Sequence, residues 1–180
     1  IASEQGANVK LLLGPTNLPM DFSNIQCIRV QDSDEMFSET LNNFKDADIV
    51  IFSAAIADFK PKRVNNSKIK KDSGYDSIKL KPTLDILNEL GKIKTSQFLV
   101  GFALETDNVI ENAKRKLKSK NLDAIVVNKI GDFNPISSDY NQIDFINSNL
   151  EITSFEKKLK IDVSNDIINK IIENVNKAKN

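Results

Sequence analysis

Short apolar runs alternate with segments of mixed polarity along most of the chain. Runs such as VKLLL, IVIF, FLVGFAL and AIVV are typical of strands that are buried on both faces of a sheet. The segment NVIENAKRKLKSK instead has helical spacing, with one apolar stripe at Val109, Ala113 and Leu117. Because strands and helices alternate, we predict an α/β fold: a Rossmann-like, doubly wound, mostly parallel sheet covered on both faces.

Capping and turn residues predict several boundaries. Asp32 and Glu35 resemble a capping box at a helix start. Thr83 is predicted to cap a short helix that Gly91 closes. The stretch QIDFINSNLEITSF has turn residues between two apolar runs, which predicts an antiparallel hairpin appended to the sheet. A terminal helix is predicted from Ser164 onwards.

The composition is that of one globular domain in a reducing compartment. The chain has 180 residues, of which 40% are hydrophobic and 28% charged. Its net charge of +0 gives no argument for binding to nucleic acid or to a membrane surface. Cys27 is the one cysteine, and we predict that it is a buried strand residue. Without an internal disulfide, a cytoplasmic location is expected.

The chain contains no histidine, which restricts the chemistry it can perform. Ser-His-Asp and Cys-His nucleophile systems, histidine-ligated zinc and histidine acid–base catalysis are excluded. An enzyme of this composition depends on lysine, carboxylates, amides, backbone dipoles or a bound metal. These groups favour nucleotidyl or phosphoryl transfer, in which charge neutralisation and positioning provide most of the catalysis.

Four segments are expected to meet where the strands end. In a doubly wound sheet, ligands bind outside the carboxyl ends of the strands. The segments there are LLLGPTNLP, IFSAAIADFKP, VGFALETDN and IVVNKIGDF. Neither GxGxxG nor GxxxxGK[ST] occurs in the sequence, so lysines and backbone amides would have to hold any phosphate.

Each candidate side chain also has an ordinary structural interpretation. Lys116 and Lys120 lie four residues apart, and they form either an anion-binding pair or part of a solvated helix face. Lys68 and its neighbours in SKIKK belong to a binding loop or to an ordinary surface loop. Asp58 follows a strand end, where it binds a metal or a ribose hydroxyl, or caps a helix. Phe102 either stacks on a base or belongs to the core.

The order of these motifs resembles a known family. SAAIADFKP, SKIKK, KPTLDIL, LVGFALET and KLKSKNLDAIVVN follow one another as in phosphopantothenoylcysteine synthetase, also called phosphopantothenate–cysteine ligase. The resemblance extends from GANVKLLLGPTNLP through the final helix. It implies a Mg²⁺-assisted reaction in which CTP activates 4′-phosphopantothenate as an acyl-cytidylate and cysteine then displaces CMP. Bacterial members are commonly the carboxy-terminal half of a bifunctional protein that also contains a flavin-dependent decarboxylase.

The resemblance also implies roles for individual residues. Lys68 matches the catalytic lysine on a flexible flap, and Asp58 matches a nucleotide-site aspartate that is also the candidate metal ligand. Three polar residues are candidate contacts to phosphopantothenate: Asn128, Asp139 and Asn141. The implied nucleotide contacts are Phe52, Ser53, Ala54, Asp58, Lys68, Leu84, Asp85, Ile86, Leu87, Phe102, Lys116 and Lys120.

We interpret residues 1–180 as a single ligase domain without the family's amino-terminal strand and asparagine-containing loop. Gly6, predicted to end a helix, supports this interpretation. A homodimer is expected, with the hairpin Gln142–Phe155 as part of its interface. Two alternatives stay open: a nucleotide-binding fragment that is incomplete for catalysis, and a Rossmann-type oxidoreductase.

Overall fold

The structure is a computed structural model that describes residues 1–17, 24–64, 67, 77–105, 107–129 and 138–179. Its elements in chain order are β1 (Val9–Leu13), β2 (Ile25–Arg29), α1 (Ser33–Phe44), β3 (Ile49–Phe52), β4 (Phe59–Pro61), β5 (Leu80–Pro82), α2 (Ile86–Ile93), β6 (Phe98–Glu105), α3 (Val109–Ser119), β7 (Ala124–Lys129), β8 (Tyr140–Asn141), β9 (Ile143–Asn147), β10 (Ile152–Ser154), β11 (Lys158–Leu159) and α4 (Lys160–Lys179). Within these ranges, no helix is long and apolar enough to cross a membrane.

A five-stranded sheet with the order β10-β9-β7-β6-β3 forms the centre of the molecule. Strands β3, β6 and β7 are parallel, as expected for buried strands joined by helices. Strand β9 runs antiparallel to β7 and pairs with β10 as a hairpin. Strands β1 and β2 form a separate parallel pair. The predicted fold class and the appended hairpin are therefore confirmed.

Side chains of alternate residues in β6 and β7 enter two different cores. Leu99, Ala103 and Val127 pack with α2 and α3 on one face of the sheet. Val100 and Val126 pack with α4 on the other face. Because both faces are covered, continuous apolar strands were the correct signal.

The start of α1 agrees with the predicted capping box in all but one contact. The Asp32 carboxylate accepts hydrogen bonds from the backbone N–H groups of Asp34 and Glu35, at 2.8 and 3.0 Å. The Glu35 carboxylate accepts a hydrogen bond from the N–H of Gln31 at 2.7 Å, one residue before the cap. The sequence therefore located this helix start correctly.

The predicted boundaries of α2 were wrong at both ends. The cap is Asp85, whose carboxylate accepts a hydrogen bond from Asn88 N–H at 3.1 Å. The first helical hydrogen bond runs from the Glu89 N–H to the Asp85 carbonyl at 3.1 Å, whereas the Thr83 N–H donates to the Asp58 carbonyl at the end of the preceding ribbon. Gly91 lies buried inside the helix, which continues to Ile93.

One other helix prediction needs correction, and one is supported. The terminal helix begins at Lys160, four positions before the predicted Ser164. Gly6 has the left-handed φ of +90° expected at a helix end. The N–H groups of Gly6 and Ala7 donate to the carbonyls of Ser3 and Ala2, both at 3.0 Å, which is the Schellman pattern of a helix end, although residues 2–6 form only turns.

An antiparallel ribbon of β4 and β5 connects the end of β3 to the start of α2. Phe59 pairs with Pro82, and the Lys62 N–H donates to the Lys79 carbonyl at 2.8 Å beyond the last strand pair. This β4–β5 ribbon carries the segment 63–78 at its end. Lys68, the predicted flap lysine, lies in that segment but outside the described residues.

Candidate functional site

The carboxyl end of β3 provides the first predicted contacts. Phe52 is half-buried and packs against the core on the α2–α3 face of the sheet. Ser53 and Ala54 follow as exposed residues outside any regular element. Small, exposed residues at a strand end allow a ligand to approach the backbone, as the sequence led us to expect.

Backbone pairing in the β4–β5 ribbon brings Asp58 to the start of α2. The Asp58 carbonyl accepts a hydrogen bond from the N–H of Thr83, which is two residues before the Asp85 cap, so the exposed Asp58 lies near the helix start. Leu84, between Thr83 and Asp85, is 41% exposed. Two predicted segments that are distant in the sequence therefore meet at one helix end.

Lys120 joins the same place from the end of α3. Its ammonium group lies 2.8 Å from Asp85 Oδ2 and 3.1 Å from Asp85 Oδ1. The Lys120 side chain is 23% exposed and that of Asp85 is 48% exposed. The helix start thus combines the first-turn amides, of which Asn88 N–H is bonded to Asp85, with a carboxylate and an ammonium group, a set of donors and acceptors that suits a polar ligand.

Two predicted contact residues have buried side chains. Ile86 is 2% exposed and Leu87 is 7% exposed, and both belong to the core. Only their backbone groups are available to a ligand, so the prediction for this segment is limited to the amides of the first helical turn.

Phe102 lies on the other face of the sheet. It is half-buried and packs with the core beneath α4, whereas Asp85 and Lys120 belong to the α2–α3 face. The structure therefore does not bring Phe102 beside the Lys120–Asp85 pair. Lys116 is half-buried one turn before Lys120 on α3. Contacts from either residue to a nucleotide stay predictions.

The candidate phosphopantothenate residues form a separate polar group at the end of β7. Asn141 Nδ2 donates a hydrogen bond to Asn128 Oδ1 at 3.0 Å. The Asp139 side chain is exposed, and its carbonyl accepts a hydrogen bond from Lys160 N–H at 2.8 Å. Two of the three candidates are therefore in direct contact, and their role in binding is still a prediction.

An ion pair that the sequence did not indicate joins Lys60 on β4 to Asp34 on α1. Asp34 lies in the first turn of α1, beside the Asp32 cap. The backbone N–H groups of Glu35 and Asp34 lower the pKa of Asp32, and the charge of Lys60 contributes further. No local pattern links β4 to α1, because the two residues lie 26 positions apart.

An open cavity of about 600 Å³ lies elsewhere, between β2 and α1. Its lining includes the carboxylates of Asp34, Glu35 and Glu39 and one arginine, Arg29. The cavity does not coincide with the start of α2, and we do not assign a nucleotide to it.

Comparisons with known proteins identify relatives of the chain. It is 45% identical over 173 residues to a cysteine/cysteine sulfinic acid decarboxylase from an unknown prokaryotic organism, covering 95% of this chain and 48% of that protein. It is 44% identical over 129 residues to the coenzyme A biosynthesis bifunctional protein CoaBC of Bacillus subtilis, covering 72% of this chain and 32% of that protein. The chain therefore spans less than half the length of these two curated relatives.

Structural and family comparisons agree with the resemblance inferred from the motifs. The crystal structure of the C-terminal domain of a coenzyme A biosynthesis bifunctional protein CoaBC matches with a TM-score of 0.78 at 32% identity, covering 94% of this chain and 76% of that one. Residues 1–175 match the family model described as the DNA/pantothenate metabolism flavoprotein C-terminal domain. The chain belongs to the DNA/pantothenate metabolism flavoprotein C-terminal domain family.

Proposed function

We propose that this chain is a ligase domain of coenzyme A biosynthesis, which joins 4′-phosphopantothenate to cysteine with CTP as co-substrate. Family membership supports the proposal, as do relatives whose names refer to coenzyme A biosynthesis. The observation that carries it is the meeting of Asp58, Asp85 and Lys120 from three separate segments at the start of α2.

In the first step, a carboxylate oxygen of 4′-phosphopantothenate attacks the α-phosphorus of CTP. The bond from that phosphorus to the bridging oxygen breaks, and pyrophosphate leaves. No general base is required because the attacking carboxylate is already ionised at neutral pH. The Lys120 ammonium and the α2 amides reduce the repulsion between the two anions, and Lys68 is assigned to the reacting phosphate.

In the second step, the amine of cysteine attacks the acyl carbon of the acyl-cytidylate. The acyl–oxygen bond breaks, CMP leaves, and the amine proton passes to water. This step also needs orientation more than a histidine base, which agrees with the composition of the chain.

Mg²⁺ fits the donor set in one specific way. Among the described residues, no three carboxylates or thiols group into a complete metal site. The exposed Asp58 carboxylate instead suits an ion held by one protein oxygen together with substrate phosphates and water. Bound Mg²⁺ would neutralise charge on the triphosphate.

Calorimetric titration of the chain with CTP, ATP and NADH, each with Mg²⁺ present, tests the proposal. We expect CTP to bind, ATP to bind weakly and NADH not to bind. NADH binding would favour the oxidoreductase alternative. CTP binding without pyrophosphate release in the presence of both other substrates would support a nucleotide-binding module that is incomplete for catalysis.

The role of Lys68 is tested by Lys68→Gln with Lys70→Gln as the matched control in the same segment. We expect Lys68→Gln to retain CTP binding and to abolish pyrophosphate release. Lys70→Gln should retain both. Loss of turnover in the two variants alike would contradict a specific role for Lys68.

A second candidate function follows from the relative named as a cysteine and cysteine sulfinic acid decarboxylase. That protein is 45% identical over 95% of this chain and 48% of its own length, and its name includes cysteine, which the proposed ligase also uses. The two functions give different products from cysteine. Release of CO₂ without CTP would support the decarboxylase, whereas CTP-dependent pyrophosphate release supports the ligase.

Assembly and location are finer proposals. Strand β10 is the edge strand of the five-stranded sheet, beside the buried strand β9. Its Ile152 is 43% exposed. We assign a homodimer contact to this edge and a cytoplasmic location to the protein, where it is fused to or associated with a flavin-dependent decarboxylase. Sedimentation of Ile152→Lys beside the parent tests the dimer contact.

A further inference from the structure

The carboxyl end of α3 has a left-handed residue that is not glycine. Asn121 has φ of +53°, its N–H donates to the Lys118 carbonyl at 3.2 Å, and the Leu122 N–H donates to the Leu117 carbonyl at 2.9 Å. Leu117 and Leu122 are both buried beneath this turn. The pattern is a Schellman motif with asparagine in the position that usually holds glycine.

The side chain of Asn121 makes a second contact that glycine could not make. Its Nδ2 donates a hydrogen bond to the Gly91 carbonyl on α2 at 2.9 Å. A Cβ on Gly91 would lie 1.9 Å from the Lys120 carbonyl oxygen, so the backbones of the two helices are in direct contact here. Glycine permits the approach, and the asparagine amide links the two helices. We call Gly91, Lys120 and Asn121 the α2–α3 junction.

The α2–α3 junction fixes the backbone from which the Lys120 side chain extends. Lys120 itself is the C-cap of α3, and its ammonium reaches the Asp85 carboxylate at the start of α2. Exposed lysine–carboxylate pairs are usually weak because ordering a long side chain costs entropy. Because the backbones of α2 and α3 are both anchored at the junction, the Lys120 ammonium has fewer positions available to it.

We infer that Asn121 and Gly91 are positioning residues that hold the Lys120 ammonium at the start of α2, where it meets the nucleotide. This inference rests on the proposed function, because it assigns a nucleotide to the Lys120–Asp85 pair. Neither residue touches the ligand, and both act through Lys120.

Asn121→Gly is the direct test because glycine keeps the left-handed turn and removes only the amide that bonds to Gly91. We expect CTP affinity to fall about fivefold by calorimetry, a modest coupling between residues in contact. In a Lys120→Met background, the same change should cause no further loss. An equal loss in both backgrounds would overturn the inference, since the effect would not pass through Lys120.

A measurement without ligand separates this inference from the proposed function. Side-chain NMR relaxation of the Lys120 Cε methylene should show lower order in Asn121→Gly than in the parent. Asn108→Gly is the matched control, because Asn108 is left-handed at the other end of α3 and makes no side-chain capping bond. Unchanged order of Lys120 in Asn121→Gly would overturn the inference, whether or not CTP binds. Failure of the parent to bind CTP would instead overturn the proposed function.

Discussion

The α2–α3 junction and the β4–β5 ribbon both carry residues to the candidate site, but they are held by different forces. The junction lies over buried residues, with Leu90 at 0% and Leu117 at 3% exposure, and its helices touch through backbone atoms. The ribbon has exposed residues, including Phe59 at 60% and Leu80 at 57%, and depends on backbone hydrogen bonds and the Lys60–Asp34 ion pair.

This difference separates a fixed side of the site from an adaptable one. Atoms in close-packed regions move only if their neighbours also move, so the backbones of the α2–α3 junction, from which Lys120 extends, have a defined position before a ligand arrives. The ribbon has few buried contacts, and local opening there costs little free energy. Asp58 therefore belongs to the side of the site that can adjust to a ligand.

The largest contrast is expected between a leucine under the junction and one on the ribbon. Leu90→Ala should lower the free energy of unfolding by about 3 kcal/mol, because it leaves a cavity beneath α2. Leu80→Ala, as its matched control, should change it by less than about 0.5 kcal/mol. Urea denaturation of both variants measures the difference, and similar values would contradict the division into two regions.

The next largest effect is expected at Gly91. Gly91→Ala should lower the free energy of unfolding by about 2 kcal/mol, because the new Cβ would collide with the Lys120 carbonyl. The helix propensity of alanine offsets only about 1 kcal/mol of the collision. The control is Gly14→Ala, where nothing lies within 4 Å of the added Cβ. A Gly91→Ala protein that is more stable than the parent would contradict this prediction, because it would show that α2 and α3 can move apart without lowering the free energy of unfolding.

The sequence predicted the elements whose pattern is local. Strands β3, β6 and β7 and helix α3 were found because their apolar spacing reflects burial directly. The start of α2 was misplaced because Thr83 and Asp85 are both good caps, and the first helical hydrogen bond, from Glu89 N–H to the Asp85 carbonyl, shows which of them begins the helix. Where the β4–β5 ribbon ends and the helix begins depends on tertiary structure, which a single sequence does not display.

Prediction of the candidate site has the same limit. The strand-end position of Ser53 and Ala54 follows from the general rule for parallel sheets. The partner of Lys120 does not, because Asp85 lies 35 residues away. An asparagine directly after a lysine-rich helix end was the available signal for the junction at Asn121, whereas its bond to Gly91 needed the structure.

A smaller effect, confined to acid, is expected at the start of α1. Hydrogen bonds from Glu35 and Asp34 N–H lower the pKa of Asp32 below its ordinary value of 3.8. The stabilisation is therefore present above that value and is lost as the pH falls through the lower folded pKa. Asp32→Asn keeps a capping oxygen without a charge, so its stability should decline less between pH 7 and about pH 3.

Denaturation midpoints at the two pH values measure this effect for Asp32→Asn and the parent. Asp32→Ala is the control, since it loses the cap at both pH values. Parallel acid profiles for Asp32→Asn and the parent would show that the Asp32 charge contributes nothing to the fold near the ribbon.

The smallest effect on global stability, and the sharpest test of the comparison, is expected from Lys60→Met. Methionine keeps the apolar stem and removes the ion pair with Asp34, which should change the free energy of unfolding by less than about 1 kcal/mol. Hydrogen exchange should nevertheless become several-fold faster at the Lys62 and Thr83 amides of the ribbon. The Leu122 amide at the end of α3 should keep its exchange rate.

Lys92→Met, which removes an ion pair within α2, is the control and should leave the exchange rates of the ribbon amides unchanged. Because both variants remove one surface ion pair, faster ribbon exchange in Lys60→Met alone would show that this pair holds the adaptable side of the site in place.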